Sequence, residues 1–411
     1  MLLRDELFAI FKEGVDAASA PAALPALLPA GSTASGRTLV LGCGKAAAAM
    51  AEVAAAHLPG EVTGCVVTRF GHGAQLPTGG ITVIEASHPV PDAASLAAGR
   101  QIRELAATAK AGDRLIFLIS GGGSSLLVDP IPGLTLEHKA RINDHLVKSG
   151  APITDINCVR RHLSQVKGGR LAAAAAAAAG DMHSFIISDV VGDDPAVVAS
   201  GPSIASPFEP ERALAILKHS GLAVEESLAA MMRAAAPPPV PPHPVHVIAD
   251  ASTALEAASA QALALGWTVI RIGDDLDGDA AATGRAHAAL ALLHAAAGAR
   301  CLLISGGELT VTVRTKGGRG GPNLEYLAGM MAALPADAPV TALACDSDGI
   351  DGSEDNAGGW FDAANRAAAA DCDTALAANR TYDLFQSFGG LVKTGPTRTN
   401  VNDIQLIAVG G

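Results

Sequence analysis

The stretch RTLVLGCGKAAAAMA, residues 37–51, decides the fold class. Thr38 to Leu41 form a short β-branched and aliphatic run, continuous rather than alternating, as in a strand buried on both faces. Gly42-Cys43-Gly44-Lys45 follows as a turn, and the Ala-rich segment after it has the best intrinsic helix propensity. Strand, glycine turn and helix in that order open a β-α-β unit, and in sheets built from such units ligands bind beyond the carboxyl ends of the strands.

Outward from this stretch the pattern repeats. Short apolar runs ending in glycine or acidic turns occupy residues 64–71 (GCVVTRFG), 81–89 (ITVIEASHP), 114–123 (RLIFLISGGG), 183–194 (HSFIISDVVGDD), 245–252 (VHVIADAS), 268–275 (TVIRIGDD), 301–308 (CLLISGGE) and 341–349 (TALACDSDG). Ala-rich helical stretches separate many of them, and IQLIAVGG reads as a closing strand. The expected class is therefore α/β, with parallel sheets covered on both faces. The proline-rich APPPVPPHP, Ala236 to Pro244, is stiff and non-helical and marks a boundary between residues 1–236 and 245–411. Read differently, it is a surface loop, because a strand follows at once.

Composition narrows the function. A chain of 411 residues with a net charge of -12 is a poor nonspecific partner for nucleic acid or anionic membrane. No apolar run approaches the length of about 18 residues that suggests a membrane span, and Arg4, Asp5 and Glu6 break up the N-terminal segment, so no signal peptide is expected. The six cysteines form no C-x-x-C pair, and Cys43, Cys65, Cys301 and Cys345 sit in or beside apolar runs. Small buried hydrophobes and a reducing cytoplasm are the expectation. Nothing in the sequence opposes a homodimer.

The unusual residues concentrate in the turns. Gly42 to Ala47 matches G-x-G-x-x-A, but the acidic residue that should close a dinucleotide site is missing: the next strand ends in Arg69. What survives is a helix start with Lys45, a generic anion site or simply a surface lysine. Ser120-Gly121-Gly122-Gly123-Ser124-Ser125 lets backbone approach a ligand and adds hydroxyl donors. Arg160, Ser164 and Lys167 would share a face if their segment were one helix, either a solvated face or a basic patch. Asp189 follows a strand; Glu308 follows a glycine pair; Asp346-Ser347-Asp348-Gly349-Ile350-Asp351 carries further carboxylates. Such acids suit Mg²⁺ or a substrate hydroxyl. KGGRGGPN, Lys316 to Asn323, surrounds Arg319 with four glycines and reads as a mobile loop able to bring Arg319 into a site. TGPTRTNVND, with Thr397 and Asn400, adds polar donors. Glycine nests, a lysine, an arginine and strand-end carboxylates are the parts that phosphoryl transfer uses, because its catalysis is positioning plus neutralisation of charge.

At this point the segments LGCGKAAAAMA, SHPVPD, LISGGGSSLL, NCVRRHLSQVKGGRLA, ISDVVGDDPAVVASGPS, LISGGELTV, GGRGGPNLEYLAG, DSDGIDGSEDNAGG and TGPTRTNVNDIQL, in order from Gly42 to Leu406, resemble the glycerate 2-kinases whose C-terminal region is called MOFRL, here about residues 300–406. The resemblance implies two three-layer α/β/α domains, one Rossmann-like, with the active site in the cleft between them. It implies transfer of a phosphoryl group from ATP, with Mg²⁺, to the 2-hydroxyl of D-glycerate. It implies that Lys45, Arg319 and Asp189 are catalytic, and that Gly44, Ser120, Gly121, Gly122, Gly123, Ser124, Ser125, Arg160, Lys167, Glu308, Asn323, Asp348, Asp351, Thr397 and Asn400 bind substrate or nucleotide, with Asp189, Glu308 and Asp348 as metal ligands. Family members have also carried the label hydroxypyruvate reductase, so an NAD(P)H-dependent reductase is the alternative enzyme, and a non-catalytic sugar-acid or nucleotide sensor is the alternative outside enzymes.

Overall fold

A computed structural model describes residues 3–31, 36–178, 180–315 and 317–410; Lys316, the first residue of the glycine-rich Arg319 loop, lies outside them. The described chain divides into two compact units. One runs from Ala23 to Ile248; the other contains the N-terminal helix Leu3–Ala17 together with the chain from Ala249 onward.

In the first unit the sheet consists of β1 (Thr38–Cys43), β2 (Val62–Arg69), β3 (Gly80–Ala86), β4 (Arg114–Ser120), β5 (Met182–Ile187) and β6 (Val245–Ala249). Their spatial order is β3-β2-β1-β4-β5-β6, with β1 to β5 parallel. The order reverses between β1 and β4, the switch point at which doubly wound sheets bind ligands. Every residue of β1 and β4 is buried, so both faces are covered, as their continuous apolar runs predicted. Leu39, Leu41, Cys65, Leu115, Phe117 and Ile186 share one core. Between β4 and β5, and again after β5, the strand–helix alternation lapses. The helices Leu136–Lys148, Ile153–His162, Pro210–His219 and Glu226–Ala234 instead build a separate helical core around Ile142, Leu146, Val159, Leu214 and Met232.

The second sheet consists of β7 (Thr268–Leu276), β8 (Cys301–Gly307), β9 (Val340–Asp346), β10 (Gly358–Phe361), β11 (Leu391–Val392) and β12 (Asp403–Val409), in the order β11-β10-β9-β12-β8-β7. Here the parallel expectation fails in part. β12 runs antiparallel to both neighbours, β8 and β9, and β10 pairs antiparallel with β9. β12 is nonetheless buried throughout. A continuous apolar run reports burial on both faces, and that is independent of strand direction.

Low aromatic content is matched by close backbone approach. In the second unit the helices Ala280–Ala296 and Pro322–Ala333 pack so tightly that a Cβ on Gly284 would lie 2.0 Å from the Tyr326 carbonyl oxygen, and one on Gly329 would lie 2.3 Å from that of Ala281. The N-terminal helix packs on the helix Ala251–Ala264 in the same manner, with the position of a Gly14 Cβ 2.8 Å from the Ala254 oxygen. The sequence boundary had grouped this helix with residues 1–236. All six cysteines are free and buried. Among the described residues no helix is long and apolar enough to cross a membrane.

Candidate active site

The switch point of the first sheet brings two predicted turns together. The Lys45 amide donates to the Gly121 oxygen at 2.9 Å, and the Ala46 amide donates to Ser120 Oγ at 3.0 Å. A Cβ on Gly44, which has φ +121°, would fall 2.2 Å from Ser120 Oγ, so only glycine lets the two turns close. Ser120 is fully buried. Its hydroxyl therefore ties β4 to the start of the helix Ala47–His57. The amides of Lys45 and Ala46 are spent on this junction, and the Lys45 side chain is what the turn presents. Its Cγ lies 3.3 Å from the position of a Gly122 Cβ, and His88 Nε2 lies 3.0 Å from that same position. Gly122, with φ +77°, thus sits between Lys45 and His88.

Behind this surface is a polar chain. Ser124 Oγ is 2.7 Å from Ser200 Oγ, which donates to Asn157 Oδ1 at 3.2 Å. Ala199, Ser200 and Gly201 all have left-handed φ values, 53°, 62° and 62°. Two consecutive non-glycine residues held there are strained, and the strain sits against the glycine nest: a Gly123 Cβ would fall 2.7 Å from both Ala199 Cβ and Cys43 Sγ. Asp189 lies just past β5 and is partly buried.

The basic segment folds differently from the single helical face expected. The helix Ile153–His162 stops before Ser164, and positive φ at Gly168 and Gly169 turns the chain. Ser164 is buried, with its Oγ accepting from the Val166 amide. Lys167 is also buried, and its Nζ donates to the Leu127 oxygen at 3.2 Å. Arg160 and Lys167 do end up close enough to repel, joined by Lys139, which the sequence reading did not single out.

In the second unit acids gather at one end of the central strands. β12 begins at Asp403, opposite Gly307 at the end of β8 and Asp346 at the end of β9. Glu308, which follows β8, is exposed, whereas Asp348 is buried with Oδ1 accepting from the Ile350 amide. The polar C-terminal segment packs on the same turn: the Thr397 amide donates to the Asp348 oxygen, and Thr397 Oγ1 to the Ser347 oxygen. Asn400, also buried, lies just after Thr399.

Asp351 is fully buried and accepts from the amides of Asn323 and Leu324, capping the helix Pro322–Ala333. Burial pushes it up to about 7 against those hydrogen bonds. Asn323 Nδ2 bonds Asp403 at 2.7 Å, and burial, reinforced by Asp351, Glu308 and Asp348, holds Asp403 well above the usual carboxylate range. Lys139 lies inside a helix, where sequence reads it as an ordinary element residue, whereas Asp403, the first residue of β12, closes the polar segment TGPTRTNVND.

Arg319 is docked. Its guanidinium pairs with Glu354 at 2.8 Å and Asp383 at 3.2 Å and lies 4.2 Å over the Tyr382 ring. Three of the four surrounding glycines meet close packing, while Gly317 faces open space at φ +77°. A Cβ would fall 2.3 Å from the Asn379 oxygen at Gly318, 2.1 Å from Thr381 Oγ1 at Gly320 and 2.3 Å from Asp351 Oδ1 at Gly321. Among the described residues no three His, Cys, Asp or Glu side chains are placed to hold a metal.

Comparison with known proteins places this arrangement. Residues 6–233 match the family described as a domain of unknown function (DUF4147), and residues 301–403 match the MOFRL family. A protein of Agrobacterium vitis named "Putative hydroxypyruvate reductase" is 42% identical over 91% of this chain and 88% of its own length. The glycerate 2-kinase of Pyrococcus horikoshii is 36% identical, again over 91% of this chain and 88% of its own. The crystal structure of glycerate kinase from Thermotoga maritima superposes with a TM-score of 0.86 at 32% identity, covering 99% of both chains. With both family regions present in order and homology running through nearly the whole sequence, the chain belongs to the glycerate 2-kinase family with a C-terminal MOFRL region.

Proposed function

We propose that the protein transfers the γ-phosphoryl group of ATP to the 2-hydroxyl of D-glycerate, giving 2-phosphoglycerate and ADP in the cytoplasm. The observation that carries this reading is the near full-length similarity to the Pyrococcus horikoshii glycerate 2-kinase. The bond formed joins the glycerate 2-oxygen to phosphorus, the bond broken is the β,γ-bridge of the nucleotide, and the hydroxyl proton leaves to a base. Asp189 is our choice for that base, as a carboxylate beside the turn that follows β5. Lys45 and Arg319 neutralise charge on the transferring group. For Arg319 this requires release from Glu354 and Asp383. Mg²⁺ would neutralise phosphate charge, held by the nucleotide with Glu308 or Asp348. Asp351, Ser120 and Lys167 act through the residues they hold in place.

The reductase reading has the Agrobacterium vitis name and the G-x-G-x-x-A match in its favour. The geometry weakens it. A dinucleotide pyrophosphate needs the amides at the helix start, and those of Lys45 and Ala46 already donate to Gly121 and Ser120. A coupled assay separates the two. ADP release dependent on both D-glycerate and MgATP is expected; NADH oxidation with hydroxypyruvate and no glycerate-dependent ADP would sink the kinase reading.

A further inference from the structure

One asparagine holds the chain that leads into Arg319. Asn379 follows the helix Ala369–Ala377 with a left-handed φ of 49° and is 7% exposed. Its backbone is an ordinary helix stop, closed by the Arg380 amide on the Ala375 oxygen at 2.9 Å. Its side chain serves a different segment. Oδ1 accepts from the amides of Arg314 at 2.7 Å and Thr315 at 3.1 Å. Nδ2 donates to the Thr312 oxygen at 3.1 Å and to Glu325 Oε1 at 2.8 Å. These partners fix the orientation of the amide, because a flipped group would set Nδ2 against two N–H donors. Glu325, on the helix Pro322–Ala333, is 2% exposed, so the carboxylate that steers Nδ2 is itself held in the interior.

Residues 312–315 are exposed and belong to no helix or strand. A buried amide that spends its bonds on such a segment fixes the path of that segment rather than completing a core element. The segment runs on into the arginine loop, where the Asn379 oxygen packs against Gly318 and Thr381 Oγ1 against Gly320. Between them the Tyr382 amide donates to the Arg319 oxygen at 3.0 Å. Residues 379–382 therefore seat the backbone before and at Arg319. What is left to travel is the guanidinium, by side-chain rotation out of its contacts with Glu354 and Asp383.

We infer that Asn379 is a positioning residue for Arg319, fixing the backbone from which the guanidinium reaches the transferring phosphoryl group. This rests on the kinase reading, in which Arg319 neutralises charge on that group. A displacement of about 1 Å at a charge-neutralising group is enough to cost up to about 10²-fold in rate.

The test is a double-mutant cycle on the full chain with Asn379→Gly and Arg319→Ala, read by kcat and by both KM values, alongside limited trypsin digestion. Glycine adopts the left-handed φ without strain, so this variant keeps the helix stop and removes the clamp. Asn379→Gly should lower kcat about tenfold or more and leave both KM values within about twofold, as expected for a contact felt only in the transition state. In the Arg319→Ala background it should change kcat less than about twofold, because the group it positions is gone. Cleavage after Arg314, followed by mass spectrometry, should speed up at least about tenfold as the segment opens locally. Asn379→Asp keeps the acceptor and sets a second carboxylate against Glu325. It should show the same coupling with a smaller loss, and serves if Asn379→Gly does not fold. Unchanged cleavage in folded Asn379→Gly, or an equal fall in kcat with and without Arg319, would overturn the inference. Faster cleavage in a protein that gives no glycerate-dependent ADP would uphold the clamp while removing the kinase reading.

Discussion

Lys45 and Ser120 show how much of the chemistry is set by single atoms. The two residues are 75 positions apart, yet the hydroxyl of one fixes the backbone that carries the other. Lys45→Ala should lower kcat/KM for D-glycerate by about 10²–10³, the usual loss when one donor to a developing charge is removed, with the melting temperature near wild type. Ser120→Ala should act mainly on folding. It leaves the buried Ala46 amide unpaired, which costs about 1–3 kcal/mol, measurable as a shift of the urea midpoint. Sequence made both residues conspicuous but could not separate their tasks, because glycine-flanked serines look alike whether they face a ligand or a neighbouring turn. The capping role of Asp351 was hidden for the same reason: its partners, the amides of Asn323 and Leu324, are backbone groups that carry no residue-type signal. Lys139 stayed invisible because a lysine inside an amphipathic helix ordinarily points to water.

At the scale of elements, the short strand runs were legible and their directions were not. Strands β1 to β5 of the first sheet run parallel as read, whereas β12 inserts antiparallel between β8 and β9 and brings Asp403 to the end of the sheet that Glu308 and Asp348 follow. That placement makes a pH prediction. In the unfolded chain Asp403 titrates near 3.8; in the fold, burial and neighbouring acids raise it. Between those two values the folded chain holds more protons, so stability is lost as pH rises through the window. Asp403→Asn removes this term. Its stability relative to wild type should therefore improve from pH 5 to pH 8 in denaturant titrations, and a constant difference would contradict the assignment. The glycine contacts between helices Ala280–Ala296 and Pro322–Ala333 make a second prediction. Gly329→Ala drives a methyl into the Ala281 backbone and should cost about 1–3 kcal/mol as overpacking, read as a lowered melting temperature.

For the whole molecule, two sheets and an α/β class could be read from alternating runs, but the affiliation of the first helix could not. Leu3–Ala17 packs on Ala251–Ala264; Trp267 Nε1 donates to Glu6 at 3.3 Å, and Thr399 Oγ1 donates to the Ala18 oxygen at 2.7 Å. Contacts across 261 and 381 positions leave no trace in local periodicity. Removing this helix should uncover the apolar surface of Ala254 and Ala258 and lower the melting temperature of the remaining chain, as followed by circular dichroism. The central claim concerns the reaction. Incubation with MgATP and D-glycerate, followed by ³¹P NMR of the products, reads the donor, the acceptor and the carbon phosphorylated in one experiment. ADP and 2-phosphoglycerate in equal amounts are the predicted result; 3-phosphoglycerate, or no phosphorylated product from folded protein, would contradict it.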